Sequence, residues 1–265
     1  MPGGRSSKIG GAPGYIVHWP HLSVTLVQTG VGLERAKTAS LGVFSENQFD
    51  LAISSGFAGA LVPTCIGALV LPEIVIRLTG DPAQSSKLSS FSCSVQYQEI
   101  VRRIVADAKF QFVSTPLLTV PWIVCTAMEK RVLAQQFRAG ALDMESAGIA
   151  EMAQERNIPF FVVRTVSDLV NENLLNDFNL FLSISTWAKG FWRFISRPKL
   201  WFELLRLRQQ TQIASRELTK FFDAFFIANA IFKVAIPCSI SLMVSFLCFT
   251  HFIKCFNCAT YEKFL

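Results

Sequence analysis

The stretch Gly140-Ala-Leu-Asp-Met-Glu-Ser-Ala-Gly-Ile-Ala150, followed after Asn157-Ile-Pro159 by Phe160-Phe-Val-Val-Arg-Thr-Val-Ser-Asp168, sets two acids at the ends of a helix and a strand. Residues 144–156 read as a helix, because Ala147, Ile149, Ala150 and Met152 form an inward stripe while Glu151, Gln154, Glu155 and Arg156 face out. Pro159 stops it. Residues 160–166 are a short β-branched and aromatic run, the pattern of a parallel strand covered on both faces. Ser167 and Asp168 fall at its carboxyl end, where open α/β sheets bind their ligands. Glu145 begins the preceding helix, where exposed N–H groups favour a carboxylate. Singly, Glu145 reads as a dipole-held helix residue and Asp168 as a cap. Together, on successive elements, they read as a candidate active site.

Working outward, strands near 23–29, 51–55 and 160–166 interleave with helices near 33–45, 96–107, 127–138 and 144–156. This alternation predicts an α/β fold, a mixed central sheet flanked by helices, in one domain over residues 15–182. Residues 81–90, Asp-Pro-Ala-Gln-Ser-Ser-Lys-Leu-Ser-Ser, read as a polar surface loop or a lid. The first fourteen residues are Gly/Pro/Ser-rich, too poor in apolar side chains for a central strand, and read as a flexible N-terminus. Gly30-Val31-Gly32 lacks the third glycine and the spaced acid of a dinucleotide fingerprint, so a Rossmann cofactor site is rejected and no cofactor or metal is expected.

The pattern Asp143-Met-Glu-Ser-Ala147, a helix, a buried strand and then Arg164-x-Val-Ser-Asp168 resembles the nucleoside phosphorylase and nucleosidase superfamily. That family includes purine nucleoside phosphorylases and methylthioadenosine/S-adenosylhomocysteine nucleosidases. Val24-Thr-Leu-Val-Gln-Thr-Gly-Val-Gly32 is similar to its second strand and glycine turn, and Asp50-Leu-Ala-Ile-Ser-Ser-Gly-Phe-Ala-Gly59 to its strand and base-binding loop. The likeness spans roughly residues 22–182. The variant Gly30-Val-Gly-Leu-Glu-Arg-Ala36 is most similar to the hopanoid-associated branch, whose members act on an adenosyl-lipid intermediate.

Breaking an N-ribosidic bond passes through a ribose with oxocarbenium character, and the purine departs as a neutral base only when protonated. The resemblance implies Asp168 as the acid beside the base and Glu145 as the carboxylate on the ribose hydroxyls. It places Met144 beneath the sugar and Ser167 beside Asp168. Phe57, Ala58 and Gly59, with Ile123 and Val124, are expected around the base, and Gly30, Gly32 and Ser55 around the nucleophile or phosphate. An acid catalyst needs a carboxyl whose proton is retained near neutral pH, which an apolar strand end favours. Phosphorolytic relatives hold phosphate with an arginine near the 51–55 strand end, where this chain has Ser54 and Ser55. A hydroxyl holds phosphate weakly beside a bidentate guanidinium, so water is the expected nucleophile.

Departures from the family bear on activity. Members begin with a strand and a Gly-Ala-Met-x-x-Glu-like loop whose glutamate helps activate water, and nothing at the start of this chain corresponds. Three explanations stay open: an upstream start, replacement of that glutamate, or loss of hydrolysis. Gly67-Ala68 replaces the usual Gly-Asp, and Thr119-Val-Pro-Trp122 replaces a Ser/Thr-x-Asp pattern. The second functional class is therefore a noncatalytic nucleoside-binding or membrane-associated remnant.

Charge and hydropathy set the C-terminal third apart. Between 189 and 220, eight basic residues (Lys189, Arg193, Arg197, Lys199, Arg206, Arg208, Arg216 and Lys220) meet only Glu203 and Glu217, which equals the whole chain's net +6. Interleaved aromatics such as Trp192, Trp201 and Phe202 make residues 183–222 a basic amphipathic helical segment, read as a membrane surface or protein contact rather than a nucleic-acid site. Residues 234–253 are uncharged and about long enough to span a bilayer. The expectation is a transmembrane helix anchoring a cytoplasmic enzyme, against a buried C-terminal helix or an appended tail. Four of seven cysteines lie in the apolar tail 223–265, and Cys255-x-x-Cys258 lacks the partners of a zinc site. Family resemblance implies a homo-oligomer acting on a small-molecule nucleoside.

Overall fold

The computed structural model describes residues 5–19, 22–80, 87–174, 198–232 and 240–245. Its first two strands, β1 (Arg5–Ile9) and β2 (Ala12–Trp19), form an antiparallel hairpin that pairs with β3 (Leu22–Val27). Gly10 and Gly11 form the two-residue turn, both at positive φ (56° and 82°), the primed geometry that matches strand twist. A Cβ on Gly10 would lie 2.2 Å from the backbone of Gly42, so the turn lies directly on α1 (Leu33–Glu46). The glycines expected to keep the N-terminus flexible instead make an edge hairpin.

The centre of the sheet is β4 (Leu51–Ala60), a fully buried run apart from Phe57. Along one edge it pairs in parallel with β11 (Phe160–Asp168). On the other edge lie β12 (Ile240–Ser245), parallel to residues 51–54, and β10 (Ala141–Asp143), antiparallel to 59–60. Beyond β10 come β9 (Leu117–Thr119), β6 (Ile74–Thr79) and β7 (Lys87–Ser92). Short strands β5 (Leu69–Val70) and β8 (Phe112–Val113) extend the β11 side. The mixed α/β architecture expected from the alternation is present. Residues 87–90, read as loop, are paired strand in β7.

Helices α1 and α4 (Ser146–Glu155) pack together on the sheet, and α2 (Val95–Asp107) and α3 (Ala127–Phe137) follow the expected periods. A further helix, α5 (Pro198–Phe232), lays its second half on the sheet, which is the protein contact that the basic segment allowed. Ala214, Leu218, Phe221, Phe222, Phe225 and Phe226 fall on one stripe of α5 and are buried. Phe225 stands 5.9 Å, ring centre to ring centre, from Phe161 of β11. Charged Arg206, Arg208, Arg216 and Lys220 accompany that stripe because the opposite face meets water, as on any helix that covers a sheet. Removing the Phe225 ring empties a packed site, so Phe225→Ala should lower unfolding free energy by about 3–5 kcal/mol. Denaturant titration checks this, and a change below about 1 kcal/mol would mean the stripe is not core.

The transmembrane helix expected over 234–253 is not what forms. Residues 240–245 are a strand that fills the slot between β3 and β4, parallel to both, with Leu242 in register with Val24 and Leu51. An uncharged apolar run suits a strand buried in a parallel sheet as well as it suits a bilayer helix, and length alone does not separate them. Among the described residues no helix is long and apolar enough to cross a membrane. The Cys255–Cys258 pair, and Trp187, Phe191 and Trp192 of the aromatic run, lie outside the described residues.

Candidate active site

The sheet splits over the middle of β4. On the edge away from β11, β12 pairs as far as Ser54 and β10 begins at Gly59, so no strand pairs with that edge at 55–58 among the described residues. A split of this kind opens a crevice at the carboxyl ends of the strands, where α/β sheets bind ligands. Residues 56–59, expected as a loop, continue β4 itself and form the rim of this crevice, buried apart from half-buried Phe57. Among the described residues, the 30–32 turn after β3, the β10–α4 corner with Met144 and Glu145, and the end of β11 reach this rim of β4.

Glu145 is the N-cap residue of α4, yet its side chain caps nothing. Its Oε1 accepts from the Gly32 amide at 2.9 Å and its Oε2 from Arg164 at 3.3 Å. Asp143 takes over the capping work, accepting from the Ser146 amide at 3.0 Å and from Thr119 Oγ1 at 2.6 Å. Arg164 has no solvent exposure and lies between both acids, 2.9 Å from Asp143 Oδ2, with further donations to Ser54 Oγ and the Phe57 carbonyl. A buried guanidinium in a strand interior survives only when paired, and here two carboxylates pair it.

Burial is the largest influence on the Glu145 carboxyl and lifts its pKa above 4.5, although Arg164 pulls the other way. Asp143 adds to the rise, while the amides of Gly32 and Met144 oppose it. Above 4.5 and up to its raised value, the folded chain holds a proton that the unfolded chain releases. That contribution to stability is complete below the unfolded value and is lost as pH rises through the folded one. In urea titrations over a pH series, the parent should therefore lose stability relative to Glu145→Gln as pH rises from 4.5. A pH-independent difference would contradict the shift.

Asp168 reaches the rim through an irregularity. Val166 pairs with Ala58 and Asp168 with Gly59, so Ser167 is an extra residue bulged out of the ladder. The bulge turns Asp168 over Gly59, where an added Cβ would come within 3.0 Å of its Oδ2. A side chain there would press on the carboxylate. Ser167 donates to Asp168 Oδ1 at 2.9 Å, and Lys130 of α3 donates to Oδ2 at 2.5 Å. Asp168 is 6 % exposed and Lys130 fully buried.

Glu145, Asp168, Ser167, Phe57, Ala58, Gly59 and Gly32 are thus gathered on one stretch of β4. Met144 is partly exposed at the same corner. The Ser55 hydroxyl is buried with no partner. Val124 packs in the smaller apolar cluster with Leu142 and Val120, and the Ile123 carbonyl accepts from Cys125. Neither of these two is tied to Asp168 or Glu145 by a hydrogen bond. Three residues of the constellation escaped the sequence reading: Asp143, Lys130 and Arg164. Two carried a signal. Lys130 shares the inward stripe of α3 with Leu133 and Phe137, and Arg164 interrupts an apolar buried strand.

Fold and site together define an enzyme of the nucleosidase and nucleoside phosphorylase kind. The chain belongs to the phosphorylase superfamily, whose family model matches residues 2–186. It is 26% identical over 195 residues to a 5'-methylthioadenosine/S-adenosylhomocysteine nucleosidase of Buchnera aphidicola, covering 69% of this chain and 82% of that one. Against the nucleosidase of the same description from Staphylococcus saprophyticus the figures are 24% over 169 residues, with 60% and 74% covered. In fold it is similar to the Neisseria meningitidis nucleosidase in complex with methylthio-immucillin-A, with a TM-score of 0.66 at 17% identity and 85% and 90% covered. The Streptococcus pyogenes S-adenosylhomocysteine nucleosidase in complex with 5-methylthiotubericidin gives 0.66, also at 17%, with 88% and 89% covered.

Proposed function

We propose that this chain hydrolyses the N-ribosidic bond of an adenine-type purine nucleoside, with Asp168 protonating the departing base and Glu145 holding the ribose hydroxyls. The observation that carries this reading is the placement of two buried carboxylates at either side of the 55–59 rim, one from the β10–α4 corner and one from the bulged end of β11. Negative charge at Glu145 beside the sugar favours the developing oxocarbenium ion, and a proton from Asp168 lets the base leave neutral. Phe57, Ala58 and Gly59 offer the backbone rim to a flat base, and Met144 an apolar surface to the sugar. Nucleosidases among the relatives, and adenosine-analogue complexes among the similar structures, support the substrate class.

Charge favours water over phosphate as nucleophile. At the rim Arg164 is already bonded to Asp143 and Glu145, so an incoming dianion there meets two carboxylates and a compensated cation. Purified protein incubated with 5'-methylthioadenosine, S-adenosylhomocysteine, adenosine, inosine and an adenosyl lipid, with and without phosphate, reads base release directly. Adenine release that is indifferent to phosphate is expected. Release strictly dependent on phosphate overturns hydrolysis, and binding of an adenine nucleoside without release from any substrate establishes the noncatalytic alternative.

A further inference from the structure

Lys130 is the fully buried cation that the proposed chemistry leaves without a role. A lysine ammonium has three donors, and here all three are committed: to Asp168 Oδ2 at 2.5 Å, to the Leu169 carbonyl at 2.8 Å and to the Glu172 carbonyl at 3.4 Å. The segment 169–172 is itself held, because Glu172 accepts from the Leu169 amide at 3.0 Å and from Gln210 of α5 at 3.0 Å, and pairs with Arg206. Thr126 caps α3 by accepting from the Glu129 amide at 3.1 Å, which fixes the turn from which Lys130 projects. An apolar side chain of similar size would fill the same position at no cost in desolvation, so packing alone does not account for a lysine.

We propose that Lys130 is a positioning residue for Asp168: it ties down Oδ2, presents Oδ1 as the oxygen that carries the transferred proton, and balances the carboxylate formed when that proton leaves. This rests on the hydrolytic reading above. Among the described residues only Ser167 bonds to Oδ1, and a hydroxyl rotor donates to a carboxylate or accepts from a carboxylic acid with equal ease. As the C–N bond breaks, its electron pair stays with the base and the proton passes from Asp168 Oδ1 to a base nitrogen. The sugar carbon then takes water, whose proton passes to solvent, and Asp168 regains a proton from solvent before the next turnover. Asp168 is left negative beside the Lys130 ammonium, so the pair is stronger after proton transfer than before it, the condition under which an interaction accelerates a step.

The test pairs two substrates that differ in their need for a proton. 5'-Methylthioadenosine requires protonation of the base, whereas 4-nitrophenyl β-D-riboside releases a weakly basic phenolate without it. Lys130→Gln should lose about 100-fold in kcat on the nucleoside with KM changed less than about threefold, and Lys130→Arg should recover to within about tenfold. On the nitrophenyl riboside both variants should turn over within about threefold of the parent. Equal losses on both substrates from a variant that still unfolds cooperatively would make Lys130 merely structural and overturn the proposal, as would no loss on either. If Gln proves too unstable to purify, the same contrast is read from Lys130→Arg, whose loss must then fall on the nucleoside alone. Failure of the parent itself to release base is a separate result: it removes the hydrolytic reading and this proposal with it.

Discussion

Truncation after Phe232 should abolish cooperative folding. β12 runs between β3 and β4, pairing with six residues of one and four of the other. Its removal strips both strands of their partner in the middle of the sheet, where water does not replace it freely. Each buried backbone group left without a partner costs about 1–3 kcal/mol. A handful of these exceeds the roughly 5–15 kcal/mol by which a domain is stable. The expected result is a chain with no sigmoidal thermal transition and poor solubility. Val244→Pro is the milder probe, since proline removes one N–H from a central strand and should cost about 3 kcal/mol or more. Val244 is aligned with Leu26 on one side and Ile53 on the other, so its loss is felt by both neighbours. If the truncated chain melted at the parent's temperature, 240–245 would not belong to the sheet, and the membrane reading of this segment would return.

The second large effect falls on Asp168. Under the proposed mechanism Asp168→Asn keeps the shape and the hydrogen bond from Ser167 while removing the transferable proton, so kcat should drop about 10²–10⁴-fold with KM little changed. The same substitution leaves the Lys130 ammonium buried with only the carbonyls of Leu169 and Glu172. Breaking one half of a buried pair costs about 3–5 kcal/mol, so the variant should also unfold at lower denaturant. Adding Lys130→Met removes the stranded charge, and the double variant should regain stability without regaining turnover. Turnover that survives in Asp168→Asn would show the acid to be misassigned. Stability that does not recover in the double variant would show that the ion pair is not the reason for its loss.

These two predictions divide along what could be read from the chain. Helices at 33–46, 95–107, 127–137 and 146–155 were legible because each is an amphipathic period bounded by a cap, a glycine or a proline. The strands at 22–27, 51–60 and 160–168 were legible as mostly apolar runs, whereas β12 was read as a bilayer helix. Glu145 and Asp168 stood out because each falls at the end of a strongly patterned element, where side chains are free to meet a ligand. Lys130 and Arg164 were passed over because a charge within an apolar stripe is ambiguous until its partner is known. Their partners lie 38 residues away for Lys130, and 19 away for Arg164 in the case of Glu145.

By itself, the sequence determined four helices, three strands, the fold class and the two candidate carboxylates, all properties that repeat every two or 3.6 residues or sit at an element's end. Tertiary structure decided the rest. Pairing alone turned Ser167 into a bulge and brought Asp168 over Gly59, because one extra residue in a ladder shows only against its partner strand. Packing alone showed that the aromatic stripe of α5 faces a sheet and not a lipid surface. Topology alone placed 240–245 between β3 and β4: burial between sheet neighbours and burial in a bilayer select the same apolar side chains, and only the partners of the backbone tell them apart.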